Sequence, residues 1–400
     1  MSNMQRREFM ATAVAGYGAW GWTQASGFAA DSSSRIPRPC APTAWQKQGV
    51  VLPADQGWIQ SFTCSVEPLD RGRWRLWYTQ RVLPEGSRKI GIAEGRPGEP
   101  MKRTAAVVSP GEPADAPLAI GNLPEGWQPV QPVYLRLNNG RHRLYFWAHG
   151  PKVVRYLAAE SEDGRRYKVL DPGRPVLYHP ADRAVDGKAA VEAGLSRRAR
   201  QVATKPDSEP LAPALLVSND ATNVYQLADG SFEMYSVGLV EVEKGQPGYM
   251  AHDNTPGWLR VIDRYRSEDG LRFTERQRVI VADEQDPADM QFYYLAVNHT
   301  PQGRMGMLGH YRVQAQTMDL EWCFSADGQH WQRPVRQAWI PRGQPGEPDS
   351  YMIYACHALV CHEKRWHLFY TAANWAHNKK HSYGPPEQVV MYAVCDRPWS

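Results

Sequence analysis

The sequence is short of several things that would settle its class at once. It has 6 cysteines in 400 residues, and none of them form a Cys-x-x-Cys pair. That excludes a disulfide-built scaffold. One or two disulfides and buried free thiols are equally open. No single charge sign dominates: the net charge is +4, with Lys and Arg scattered among acids. No basic run is interleaved with aromatics, so nucleic acid is not an expected partner. Long apolar stretches are missing too. The one near the N-terminus, Ala11–Trp22, is too short to span a bilayer. Long apolar segments of helical period are scarce.

That N-terminal stretch has a different use. Arg6-Arg7-Glu8-Phe9-Met10 precedes it, and small residues Gly27 and Ala29 follow it. The order matches a twin-arginine export signal over residues 1–30, with a periplasmic or secreted product.

What is abundant is aromatic residues, with 15 Trp and 19 Tyr, and turn chemistry. Ser-x-Asp-Gly followed by two residues and an aromatic occurs at Ser161–Tyr167, Ser267–Phe273 and Ser325–Trp331. Asp can accept local backbone N–H groups and Gly tolerates positive φ, so each reads as a tight turn. A second pattern lies upstream. Arg75-Leu76-Trp77-Tyr78 matches Arg143-Leu144-Tyr145-Phe146 and His367-Leu368-Phe369-Tyr370, with looser copies at Met234 and Met307. Each follows a turn, as at Asp70-Arg71-Gly72, Asn139-Gly140 and Asp229-Gly230. An apolar run precedes most of these turns, so the pattern predicts five hairpins.

The hairpin markers recur about every 60 to 90 residues, room for a four-stranded sheet with loops. Third strands are visible at 90–93, 155–158, 263–266, 321–324 and 391–394, and Ser-x-Asp-Gly falls between strands three and four. The pattern predicts an all-β, five-bladed β-propeller over residues 31–400. The chain stops before the fifth unit has a fourth strand. Trp45–Leu52 resembles a stray one, so the N-terminal segment is expected to complete the last blade and cover its edge. The polar stretch near 180–213 reads as an inserted loop.

These motifs, over roughly residues 45–400, resemble the five-bladed propeller glycoside hydrolases, the superfamily of arabinanases, xylosidases, invertases and levansucrases. More specifically, they resemble a bacterial branch related to glycoside hydrolase families 32 and 43. The resemblance implies a carbohydrate substrate, no cofactor, and acids at the starts of the innermost strands. The usual first-blade acid motif is absent: Gln56–Ser61 stands there, with only Asp55 nearby, and Trp127–Gln131 on the second blade carries no acid either.

In such propellers the innermost strand starts at the active face. The repeated Asp163, Asp269 and Asp327 then lie on the opposite face, with a structural role like that of the sialidase Asp-box. Asp220, Asp289 and Asp349 each fall just before or at an inner-strand start and become the expected catalytic carboxylates. Glycoside cleavage needs one carboxyl to protonate the leaving oxygen and another to activate water or attack the anomeric carbon. Gln60, Gln131, His149, Asn223, Gln291, His310, Arg312 and His357 are expected around the substrate, with Arg81, Asn374 and His377 on the rim. One relative uses a histidine acid, which keeps His149 and His310 as candidates for that role. Glu67, Glu241 and His252-Asp253 are secondary. Two other readings stay open: a glycoside phosphorylase, with Arg312 and His310 as a phosphate site, and a non-catalytic glycan-binding propeller.

Overall fold

The computed structural model describes residues 45–54, 59–81, 87–104, 120–150, 154–172, 175–177, 217–246, 248–254, 256–273 and 276–396. The expected export signal and the insertion at 180–213 lie outside the described residues.

Within them the fold is nearly all β, with one 3-10 turn at Asp70–Gly72. Strand β1 (Gln46–Leu52) belongs to the last sheet. The first sheet runs β2 (Ile59–Pro68), β3 (Trp74–Arg81), β4 (Arg88–Gly95), β5 (Lys102–Thr104). The second contains β6 (Ile120–Gly121), β7 (Gln128–Arg136), β8 (His142–His149), β9 (Val154–Ser161) and β10 (Tyr167–Val169), in the order β6-β10-β9-β8-β7. The third is β11 (Val217–Gln226), β12 (Phe232–Glu241), β13 (Trp258–Ser267), β14 (Gln277–Ile280).

Two further groups follow. One is β15 (Met290–Thr300), β16 (Gly303–Arg312), β17 (Thr317–Ser325) and β18 (Ala338–Ile340). The other is β19 (Met352–Ala355), β20 (Val360–His362), β21 (Arg365–Ala373) and β22 (Gln388–Asp396), with β1 antiparallel to β22. A parallel Met318–Met352 pairing joins these two groups into one nine-stranded sheet.

Central strands such as β8, His-Arg-Leu-Tyr-Phe-Trp-Ala-His, are buried on both faces up to their last residue. That is why they read as continuous apolar runs and not as an alternation. Cys64, Cys323 and Cys356 are buried thiols.

The Ser-x-Asp-Gly segments are tight turns. Asp163 Oδ1 accepts the N–H groups of Arg165 (2.8 Å) and Arg166 (2.9 Å) and the Ser161 hydroxyl (2.9 Å). Asp269 and Asp327 repeat the arrangement with Leu271 and Arg272, and with Gln329 and His330. The glycines that follow have φ of +68°, +71° and +78°. Two of these turns also dock on the preceding sheet. Tyr145 OH donates to Gly270 O (2.9 Å), Arg143 Nη1 to Asp269 O (2.8 Å), and Tyr235 OH to Gly328 O (3.2 Å). The recurring aromatic of the second strand thus holds the next sheet's turn, which links the two sequence repeats physically.

The first strands of successive groups are bonded side to side. Ser65 Oγ donates to Pro132 O (3.0 Å), Ala221 N–H to Gln131 Oε1 (2.8 Å), and Asn223 Nδ2 to Leu295 O (2.9 Å). Tyr294 OH donates to Ile353 O (2.9 Å), and His357 N–H, just after β19, donates back to Cys64 O (2.9 Å).

Candidate active site

The first strands share an irregularity that the sequence patterns did not show. β2, β7, β11 and β15 each lose register with their neighbour, between Gln60/Ser65, Val130/Val133, Val217/Thr222 and Phe292/Leu295. A bulge bends a strand and re-aims its side chains. Two of these bulges hold non-glycine residues at positive φ, Gln131 at 57° and Ala221 at 40°. Such conformations persist only where surrounding bonds fix them. Here Gln131 N–H donates to Thr79 Oγ1 (2.7 Å), while its side chain receives the Ala221 N–H. Gln131 is 1% exposed, so its bonds tie sheet two to sheet three.

Asp289 stands immediately before β15. It accepts Nε of Arg312 (2.8 Å) and the Gln314 N–H (3.0 Å), and its backbone oxygen takes Val313 N–H. Two expected site residues, Asp289 and Arg312, therefore meet, at the turn between β16 and β17. Asp349, 1% exposed, lies before β19 and has different partners: Lys47 Nζ of β1 at 2.6 Å and Tyr370 OH of β21 at 3.1 Å. The two carboxylates share no hydrogen-bond partner among the described residues. The side chains of Asp220 and Gln60, like that of Glu241, lie outside the described set.

The other expected residues divide by surroundings. His149 ends β8, and burial with Arg88 nearby brings its imidazole down to about 4. His310, on β16, is also lowered to about 4 by burial. Its Nδ1 has no hydrogen-bond partner among the described residues and sits 3.5 Å from Glu321 Oε2. Glu321 belongs to a buried charge cluster: Arg333 chelates Asp286 through two 2.7 Å bonds and reaches both Glu321 oxygens at 2.8 Å. Burial raises the Glu321 carboxyl, and Arg333 draws it back.

Asn223 is 1% exposed and bonds Leu295 O. His357 follows β19, at the other end of that strand from Asp349. Its ring stacks on Tyr225 with centroids 5.6 Å apart and contacts Ser65 Oγ at 3.3 Å, and burial lowers it to about 4. Asn374, expected on the rim, is 5% exposed and holds the chain at 383–387.

The tightest constellation at the β15-start end centres on Arg260 of β13, which sequence reasoning missed. Arg260 is 3% exposed and donates to Asp253 Oδ2 (2.5 Å), Gln291 Oε1 (2.8 Å) and Asn254 Oδ1 (2.7 Å). Its guanidinium carbon lies 4.9 Å from the Tyr293 ring centroid and 5.2 Å from that of Tyr311. Tyr311 OH donates to the other Asp253 oxygen at 3.1 Å. Gln291 and Asp253 are thus gathered around an arginine. Its signal in the sequence is a charged residue inside the apolar run Trp258-Leu259-Arg260-Val261.

One protonation state follows from this network. Arginine only donates, so the Asn254 oxygen faces Arg260 and its amide nitrogen faces His377 Nε2 at 3.0 Å. His377 Nε2 is therefore an acceptor, and the proton lies on Nδ1, toward Tyr354 OH at 3.4 Å. Burial, reinforced by Arg260, holds the ring neutral, with its imidazole lowered to about 3. His377 fastens the loop after β21 to the loop before β13, and its ring nitrogens are engaged there.

No described group of three or more His, Cys, Asp or Glu could hold a metal ion, and no described helix is long and apolar enough to cross a membrane.

The fold is glycoside hydrolase-like. The chain is similar to a thermostable family-43 glycoside hydrolase, at 10% identity and TM-score 0.52, over 83% of this chain and 91% of that one. It is similar to a glycosyl hydrolase from Bacteroides ovatus, at 10% identity and TM-score 0.51, over 86% and 90%. It is also similar to an N-acetylgalactosamine deacetylase from F. plautii, solved with blood group B trisaccharide, at 15% identity and TM-score 0.54, over 88% and 96%. No protein-family model and no curated protein matches the chain.

Proposed function

We propose that the protein is a glycoside hydrolase of five-bladed β-propeller form, exported by the twin-arginine route and acting on a glycan outside the cytoplasm. Each strand group is one blade, and β1 completes the last. The side-to-side bonds between first strands support their arrangement about a central opening, where substrate binds. The observation that carries the hydrolase reading is that Asp289 immediately precedes β15, and Asp349 precedes β19 with only Ser350 and Tyr351 between, in a fold shared with glycoside hydrolases.

Asp220, Asp289 and Asp349 divide the acid, base and positioning roles. Asp289 is fixed in place by Arg312 and Asp349 by Lys47; these two are assigned the base and positioning roles, and Asp220 the acid. Turnover of an aryl-glycoside and oligosaccharide panel, followed by Asp220→Asn, Asp289→Asn and Asp349→Asn one at a time, tests this. Turnover is expected to drop at least about a hundredfold in the acid and base variants, the scale of acid–base catalysis, with glycan binding retained. Unchanged turnover in all three variants rules the assignment out.

The F. plautii neighbour supports a second reading, hydrolysis of the N-acetyl group of an amino sugar. Acetate release without new reducing ends would select it.

A further inference from the structure

We propose a second carbohydrate-binding site, an outer subsite on the last sheet, built on Tyr383 and Glu387. It deepens the hydrolase reading and rests on it. A cleft of about 670 Å³ opens between the loop before β19 and the loop that joins β21 to β22. That is the size range of a small-ligand site.

One wall of the cleft is Pro345 and Gly346. The other is Tyr383, Pro385, Pro386 and Glu387. The second wall is exposed yet rigidly held. Asn374 Nδ2 donates to the carbonyls of Tyr383 and Pro385, both at 3.0 Å, and its Oδ1 accepts the Glu387 N–H at 2.8 Å. Tyr383 N–H returns a bond to Asn374 O at 2.9 Å. Two consecutive prolines further limit the wall's freedom. A wall fixed before the ligand arrives loses little entropy on binding.

The chemistry of the lining selects the ligand. Tyr383 is the principal exposed aromatic there, at 41%, and Tyr351 braces its ring with centroids 5.1 Å apart and a 31° tilt. A phenol face offers the C–H side of a sugar ring an apolar platform. Glu387 adds a carboxylate at the edge, an acceptor for sugar hydroxyls. None of the described lining residues is a cation, which disfavours anionic ligands. A neutral hexose or pentose unit fits all three features. Tyr351 lies two residues after Asp349, so the cleft adjoins the β19 start. A glycan chain leaving the central opening across the last sheet would pass over it.

The test is native gel electrophoresis of the full chain through gels containing arabinan, xylan or levan, using Tyr383→Ala, Tyr383→Phe and Glu387→Gln. Retardation of the wild type by at least one polysaccharide is expected. Tyr383→Ala should weaken that binding roughly tenfold, the upper range for an aromatic contact. Tyr383→Phe, which keeps the ring, should stay within about twofold of the wild type. Retardation of Tyr383→Ala equal to the wild type overturns the proposal. So does displacement of the polysaccharide by a synthetic polyproline peptide, which would assign the prolines and tyrosine to a peptide. A wild type retarded in none of the gels also overturns it, while wild-type turnover of short aryl-glycosides separately judges the hydrolase reading.

Discussion

Replacing Gly270 with Ala should destabilise the protein far more than replacing Gly140 with Ala, although both glycines close a turn at positive φ. Gly140, in the β7–β8 turn, has φ +83° and open space where a Cβ would sit. Its substitution meets only the left-handed backbone penalty, about 1 to 2 kcal/mol. Gly270 has φ +71°, and a Cβ there would lie 2.6 Å from Arg143 Nη1, 2.6 Å from Tyr145 OH and 2.8 Å from Phe232 Cδ1. Either the turn or the side chains of Arg143, Tyr145 and Phe232 must shift. Overpacking adds about 1 to 3 kcal/mol, and loss of the Tyr145–Gly270 bond adds about 1 kcal/mol. The expected total for Gly270→Ala is therefore about 3 to 6 kcal/mol. The reduced freedom of the unfolded chain is the same in both variants and cancels in the comparison. Urea midpoints at unchanged slope read the difference. Tyr145→Phe should cost about 1 kcal/mol alone and less than that in the Gly270→Ala background, because the same contact is already lost. Equal shifts for the two glycine variants would refute the docking of the repeated turn on its neighbour.

Lys47→Met should lower the melting temperature, because it leaves the Asp349 carboxylate buried beside Tyr370 without its cation; about 3 kcal/mol is expected, and Asp349→Asn in the same chain should recover part of it. A midpoint unmoved by Lys47→Met would show that β1 is not held through this pair. Acid should destabilise the fold well above the carboxylate range. Burial sets His149, His310 and His357 at about 4 and His377 at about 3, all below the ordinary 6.5. The unfolded chain therefore binds more protons in that window. The stability these groups contribute is full above pH 6.5 and is lost as pH falls toward 4. The slope is about 1.4 kcal/mol per pH unit for each histidine. Calorimetry at pH 5 should find about three to four protons taken up by them on unfolding, and about one fewer in His357→Gln; uptake near zero would contradict the buried neutral rings.

The parts of the fold legible in the sequence are those with local causes. Ser-x-Asp-Gly is visible because one carboxylate closes its own turn within three residues, as Asp269 does with Leu271 and Arg272. The second and third strands are visible because both their faces are buried, and Trp45–Leu52 because it repeats the character of Trp331-Gln332-Arg333. The bulges at Gln131 and Ala221 were not legible, since each is fixed by a bond to a different sheet. The same holds for the site. Asp289 and Asp349 can be picked out as acids before strands, but Lys47 lies 302 residues from Asp349, and no spacing rule links them. Arg260 was overlooked because a buried arginine is stable only with Asp253, Gln291 and two tyrosine rings around it, and those come from three separate segments.

The pairing of β1 with β22 also sets the order in which the molecule can be finished. During synthesis β1 emerges early and finds no partner, while the four groups between β2 and β18 can form as hairpins close on. β22, and the Tyr370 that holds Asp349, are made only after most of the chain exists. Of the described strands the first must wait for the last, and until they meet two backbone edges stay open to strands of other copies. A slow final step and a concentration-dependent loss to aggregation during refolding are the natural consequences of that wait.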